Sequence, residues 1–307
     1  MAVLAYAVCA LVWGTTWYAI RVCIGPGGYP SFLSAAVRFT VATAILAPIL
    51  RLGFGRPRPD RRAMRWLAVC GVLNAGGYAL VYRAEEEVAG GVAAVLFGTM
   101  PLVTAAIARL TGTERLRPSA IAGALAGLTG IAVIFRDRMS VSAGQGIAVA
   151  LILGSVACAS TFTVLVKRHA SRSNPVANMA VFFPATAAAL WLLWATVERQ
   201  PLPSPLPLAP TAALLYLAVF GSVITFGAYF YLVRHVSLAT VTTLVLVEPV
   251  IALLVDALFE HRAPASALTY VGAAITASGV LVAIVFGEQG KASASAPPPP
   301  PATDAAG

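Results

Sequence analysis

The sequence predicts an all-α integral membrane protein, with ten transmembrane helices arranged as two inverted five-helix repeats. Three observations predict it. First, 59% of the 307 residues are hydrophobic and 11% charged, with mean hydropathy +0.84. Soluble domains carry about 25% charged residues, so this chain cannot solvate a globule of its size. Second, the apolar residues fall in ten long unbroken runs, each close to the roughly 20 residues that a spanning helix needs. Membrane β-barrels instead show alternating segments of about 10 residues. Third, the order of residues in the first half recurs in the second.

The expected spans are 2–21, 31–50, 66–84, 88–110 and 118–135, then 145–166, 176–197, 210–233, 237–258 and 265–286. Span 1 has no basic region before it and is long for a signal peptide, so it reads as an uncleaved span. Spans 2 and 3 flank the loop 51–65, which carries six arginines. The loops after spans 4, 6 and 8 are also basic. Fourteen of the 21 Lys and Arg residues fall on that side, six on the other, and Arg38 lies inside a span. The excess of positive charge predicts that this side faces the cytoplasm, with both termini there. The net charge of +9 therefore marks membrane orientation, and no soluble basic module exists to bind nucleic acid. Cys9, Cys23, Cys70 and Cys158 form no close pair and read as small apolar residues. The expected organisation is a first repeat over 1–137, a second over 144–286, and a disordered Pro/Ala-rich cytoplasmic tail over 287–307.

The repeat is visible in particular residues. Met100-Pro101-Leu102, Thr113-Glu114-Arg115, Pro118, Gly123 and Gly130 correspond to Glu248-Pro249-Val250, Phe259-Glu260-His261, Pro264, Gly272 and Gly279. Trp13-Gly14-Thr15-Thr16 matches Ala159-Ser160-Thr161-Phe162 more weakly, 146 residues later. Five spans per unit is an odd number, so the second unit must be inverted in the membrane. Inverted repeats are a common ground plan of secondary transporters, with the site near the midplane at their interface.

With Trp13-Gly14-Thr15-Thr16, Arg38, the two mid-span prolines and the two Glu-plus-glycine endings, the chain resembles the EamA-type members of the drug/metabolite transporter superfamily over residues 1–286. The resemblance implies a ten-helix fold and export, or sometimes uptake, of small metabolites such as amino acids. Glu85-Glu86-Glu87 departs from the small and polar residues usual between spans 3 and 4.

Three charges lie inside the spans: Arg38, Glu248 and Asp256. Charge at mid-bilayer costs about 2.5–3.5 kcal/mol on insertion scales, so such residues face a cavity or a partner. At about 1.5 Å per residue, Arg38 lies roughly 10 Å and Glu248 roughly 14 Å below the outer surface. That is close enough for an intramembrane ion pair, and it leaves open a role for Glu248 as a proton or cation site. Asp256 reads as a rim residue. Pro249 frees the Val245 carbonyl to line a cavity. Trp13 and Trp17 share one helix face, as do Asn74 and Tyr78, and together with Glu248 they form the candidate substrate site. Glu85, Glu86 and Glu87 read either as first-turn carboxylates favoured by the dipole of span 4 or as an outer acidic vestibule.

No ATP-binding loop, metal-ligand motif or cofactor motif appears, so transport is expected to draw on a gradient, with a proton as the candidate coupling ion. The single histidines His169, His235 and His261 read as interface residues. The expected protein is a secondary transporter of a small metabolite (amino acid, amine or drug-like compound) in the cytoplasmic membrane. It is expected to export by alternating access, as a monomer or homodimer in the bilayer. A gated channel is the alternative. An intramembrane enzyme is less favoured, because the spans hold no paired carboxylates or metal cluster.

Overall fold

The computed structural model describes residues 1–54, 58–85, 95–114, 118–136, 145–259 and 267–294, with backbone alone at 85, 135, 252–259, 267 and 286–294. The described residues form helices: α1 (Ala2–Ile24), α2 (Ser31–Arg51), α3 (Arg61–Glu85), α4 (Met100–Leu110), α5 (Pro118–Phe135), α6 (Gly146–His169), α7 (Pro175–Leu193), α8 (Leu208–Ala218), α9 (Thr225–His235), α10 (Leu238–Thr242), α11 (Leu244–Phe259) and α12 (Ala267–Ala294). Short π-helical segments, Trp194–Glu198 and Val219–Ile224, follow α7 and join α8 to α9.

Seven of these helical stretches are long and apolar enough to cross a membrane, including Leu208–His235 taken as one. Three shorter apolar helices, Val95–Leu110, Pro118–Ile134 and Leu238–Ile251, lie where the other three spans are expected. Two of them contain breaks. Thr243 separates α10 from α11, and a turn at Gly98-Thr99 precedes α4, where Thr99 Oγ1 donates to the Leu96 carbonyl at 2.6 Å. α12 runs to Ala294, past the expected end of span 10 at residue 286. Residues 295–307 of the expected tail lie outside the described residues.

Polar side chains set several helix starts. Asn174 accepts from the Val176 N–H at 2.9 Å with Pro175 in the first turn, and Ser237 accepts from the Thr240 N–H at 3.2 Å. Two carboxylates cap helices from afar: Glu198 accepts from the Phe32 and Leu33 N–H groups, and Glu114 accepts from the Leu238 N–H at 2.9 Å. Lys167 donates to the Val233 and Val236 carbonyls, and Arg168 donates to the Thr111 carbonyl. Trp66 stacks on His169 at 4.6 Å. These contacts gather the ends of α4, α6 and α9 and the starts of α3 and α10 at one end of the bundle. Tyr29, which hydrogen-bonds Thr211, and the Glu198 cap gather the starts of α2 and α8 at the other.

The two halves of the chain interleave. α3 packs on α6 and α7, α2 on α7, α1 on α8, α9 and α11, and α4 on α6. The α5–α12 seam is built on glycine. A Cβ on Gly123 would lie 2.7 Å from the Gly279 carbonyl oxygen, and one on Gly272 would lie 2.7 Å from that of Gly130. Without side chains the two backbones approach directly, the usual device for helix association where lipid removes the hydrophobic drive. The core between α2, α7 and α9 is aromatic. Phe39, Phe182, Phe183, Phe226 and Phe230 pack edge-on or tilted, with centroids 5.3–6.3 Å apart.

Candidate functional site

A cavity of about 170 Å³ lies among α1, α2, α3, α6, α9 and α11, and all five candidate substrate residues line it: Trp13, Trp17, Asn74, Tyr78 and Glu248. Arg38 lines it as well. Helix periodicity is the reason that Trp13 and Trp17, and likewise Asn74 and Tyr78, reach it together: residues four apart share a face. Gly14 lets α1 close on α11, because a Cβ there would meet the Ile251 side chain at 2.6 Å.

Arg38 is 2% exposed. Its Nε donates to Ser222 Oγ at 2.9 Å and its Nη2 to the Gly221 carbonyl at 3.0 Å. Trp13 Nε1 donates to the same carbonyl at 3.3 Å. The π-helical segment makes this possible. Its wider turn sends the Ser222 and Thr225 hydroxyls back five residues, to the Leu217 and Phe220 carbonyls. The Gly221 carbonyl is then met by side chains of α1 and α2. Such π-turns often mark functional sites. The guanidinium also lies 5.4 Å from the Tyr78 ring centroid.

Glu248 is 8% exposed and shares the cavity wall with Trp17, whose only side-chain donor is the indole N–H. The expected Arg38–Glu248 ion pair is not among the contacts of the described residues. The π-turn of α8–α9 offers Arg38 nearer acceptors in Ser222 and the Gly221 carbonyl. Among the described residues, two buried donors of cavity-lining side chains have no hydrogen-bond partner: Arg38 Nη1 and Asn74 Nδ2.

Phe162, Phe226 and Tyr229 line the cavity beside α9, with Tyr229 tied to Thr163 by a 2.6 Å hydrogen bond. Ile20, Val81, Tyr82 and Phe97 line its other side. Glu85 ends α3 and does not open the fourth span, so the helix-dipole rationale fails for it: a carboxylate gains nothing at a helix C-terminus. Glu86 and Glu87 lie outside the described residues, as does His261. Asp256 is described only in its backbone.

Sequence reasoning did not select Met100, Phe97, Phe226, Tyr229 or the Gly221-Ser222 turn. Two signals were present. Met100 is the repeat counterpart of Glu248, and Gly221-Ser222 interrupts an otherwise apolar run.

Comparison with known proteins defines the class. The model of the EamA-like transporter family matches residues 1–136 and again residues 146–285. The chain belongs to the EamA-like transporter family of the drug/metabolite transporter superfamily and is a membrane transporter of small solutes. It is 34% identical over 250 residues to YedA of Escherichia coli K12, named an uncharacterized inner membrane transporter, covering 80% of this chain and 78% of that one. It is 28% identical over 294 residues, 92% of each chain, to a Streptantibioticus cattleyicolor protein named a probable terminal-alkyne amino-acid exporter. A crystal structure of a protein 23% identical to this chain shares the fold, with TM-score 0.76 over 93% of this chain and 98% of that one.

Proposed function

We propose that the chain is a ten-span secondary transporter in the cytoplasmic membrane, with both termini cytoplasmic. It exports a small metabolite (an amino acid, amine or drug-like compound) by alternating access through the cavity beside Glu248. The observation that carries this reading is the cavity itself, walled by helices of both halves and holding one buried carboxylate and one buried guanidinium. Supporting the inverted-repeat arrangement, helix contacts recur when the halves are exchanged: α3 on α6 matches α1 on the α8–α9 span, and α1 on α11 matches α4 on α6. The double family match and the reciprocal glycine seam support the same arrangement. The inner membrane location named for YedA agrees with the positive-inside orientation. Glu248 is the proposed coupling site, binding a proton on one side and releasing it on the other. The three glutamates at 85–87 remain a proposed outer vestibule.

The test is reconstitution. Proteoliposomes containing the purified protein should accumulate a metabolite from a substrate panel against its gradient when a pH gradient is imposed. Flux that only equalises concentrations, whatever the pH gradient, would assign a facilitator instead.

A further inference from the structure

Positive charge collects where α3 starts and α6 ends. Trp66 stacks on His169 across this junction, with ring centroids 4.6 Å apart and planes 6° from parallel. Arg62, Arg65 and Trp66 share one side of α3, since residues three and four apart on a helix are neighbours. Arg168 adjoins His169 on α6, and Arg62 and Arg168 both act electrostatically on the His169 ring. All three arginines are exposed, and none pairs with a carboxylate among the described residues. We propose that Arg62, Arg65 and Arg168 form the headgroup site of one anionic phospholipid, whose acyl chains run along α3 over Val69 and Val72.

The first ground is charge. The first turn of α3 holds no acidic residue, although carboxylates are the favoured residues there, and it begins instead with Arg61 and Arg62. The two carboxylates whose side chains are described at this end are occupied elsewhere. Asp60 accepts from the Ala63 N–H at 2.7 Å, and Glu114 accepts from the Leu238 N–H at 2.9 Å. Arg168 donates to the Thr111 carbonyl, a neutral acceptor that leaves its charge uncompensated. A helix start and guanidinium groups from two helices repel one another unless an anion lies among them. Phosphate oxygens match the planar fork of arginine, and Arg168 keeps four N–H donors beyond the one given to Thr111.

The second ground is the surface beside the charge. Arg62, Arg65, Val69 and Val72 follow one another at the spacing of a single helix face, and all four are exposed. The stripe is cationic at its end and apolar beyond it, which is the complement of a phospholipid with its phosphate at the water boundary. Trp66 stands at that boundary, where tryptophan is enriched in membrane proteins. A free phosphate or a nucleotide would satisfy the arginines but would lay nothing over the valines. Net charge selects among lipids. Phosphatidylglycerol brings an unbalanced negative charge, whereas phosphatidylcholine brings its own cation, which the arginines repel.

The experiment titrates the purified full-length protein in detergent with dioleoyl-phosphatidylglycerol, dioleoyl-phosphatidylcholine or glycerol phosphate. Melting temperature reads binding, and native mass spectrometry counts retained lipids. Phosphatidylglycerol should raise the melting temperature saturably and remain bound as a single lipid, and the other two should do neither at the same concentration. Arg62→Gln combined with Arg65→Gln should weaken phosphatidylglycerol binding by about tenfold or more, with the lipid-free melting temperature close to that of the unaltered protein. Arg234→Gln, which removes a charge at the end of α9 and away from this face, should leave binding unchanged.

Equal stabilisation by phosphatidylcholine, or an equal loss in Arg234→Gln, would overturn the site and leave a diffuse basic surface. A full shift with glycerol phosphate would overturn the lipid and assign a soluble anion in its place. If the double variant does not fold, the preference of the unaltered protein for phosphatidylglycerol over phosphatidylcholine and glycerol phosphate decides alone.

Discussion

The α5–α12 seam and the central cavity are both built by the two halves of the chain, yet they use them in opposite ways. In the seam, positions 149 residues apart carry the same residue: Gly123 and Gly272, Gly130 and Gly279. They meet reciprocally, Gly123 against Gly279 and Gly130 against Gly272, as equivalent surfaces do across a two-fold axis. In the cavity, corresponding positions carry different residues. Met100 stands opposite Glu248 in the repeat, and Trp13 opposite Ala159, and all four line the wall. Duplication thus supplies the scaffold, and divergence between the copies supplies the charge and the aromatic surface. A symmetric cavity would offer a solute two identical poles, whereas this one carries a guanidinium on α2 and a carboxyl group on α11.

The largest effect should come from breaking the symmetric region. Gly130→Val drives side-chain atoms into Thr276 and the Gly272 carbonyl, and should destabilise the protein by about 1–3 kcal/mol or prevent its assembly. Gly272→Val should do so to a similar degree, because each glycine faces the other. Melting temperature and monodispersity in detergent measure both. A large effect from one substitution and none from the other would break the comparison.

Next is the asymmetric pair. Glu248→Gln keeps shape and hydrogen bonding but cannot titrate, and should abolish pH-driven accumulation in proteoliposomes while the protein stays folded. Met100→Leu at the corresponding position should change transport little. Normal pH-driven accumulation by a stable Glu248→Gln protein would remove Glu248 as the coupling site.

A smaller effect sharpens the geometry around Arg38. Had Arg38 and Glu248 formed an ion pair, Arg38→Gln combined with Glu248→Gln would recover stability lost by Glu248→Gln alone. With Arg38 bonded to the α8–α9 turn, no recovery is expected in thermal unfolding. Gly221→Ala should disturb the same arrangement mildly, since its methyl would come within 3.1 Å of Arg38 Nη2 and 3.0 Å of Thr16 Cγ2. Weaker substrate binding with a melting temperature close to that of the unaltered protein is the expected result. The smallest perturbation tests orientation: Arg58→Cys should leave transport unchanged and react with impermeant maleimide only from the cytoplasmic side.

Much of this was legible in the chain before folding. Membrane insertion follows from composition, because an apolar helix 20 residues long is driven into lipid wherever it lies in the sequence. The glycine seam was visible as a repeat, since a position admitting no Cβ leaves the same mark in both copies. Trp13, Trp17, Asn74 and Tyr78 could be grouped in pairs from the 3.6-residue period, and Glu248 from the cost of a charge at depth.

The site was less legible wherever it depended on backbone irregularity or on helices distant in sequence. Nothing local foretells that the Val219–Ile224 turn is π-helical and so turns the Gly221 carbonyl toward both Arg38 and Trp13. Depth along the membrane normal placed Arg38 and Glu248 at similar heights, but a one-dimensional coordinate cannot say which lateral neighbour is nearer. The break at Thr243 was hidden for a similar reason, because its polar groups are satisfied by neighbouring structure, as in the 2.8 Å bond between Tyr6 and Thr243. Composition, period and charge cost are properties of short segments, so the sequence by itself determined the class of protein, its apolar helices and six of the side chains that line the cavity. The partners of those side chains were decided only by the tertiary structure, because each hydrogen bond goes to an acceptor near in three dimensions, and for Arg38 those acceptors lie 184 and 183 residues along the chain.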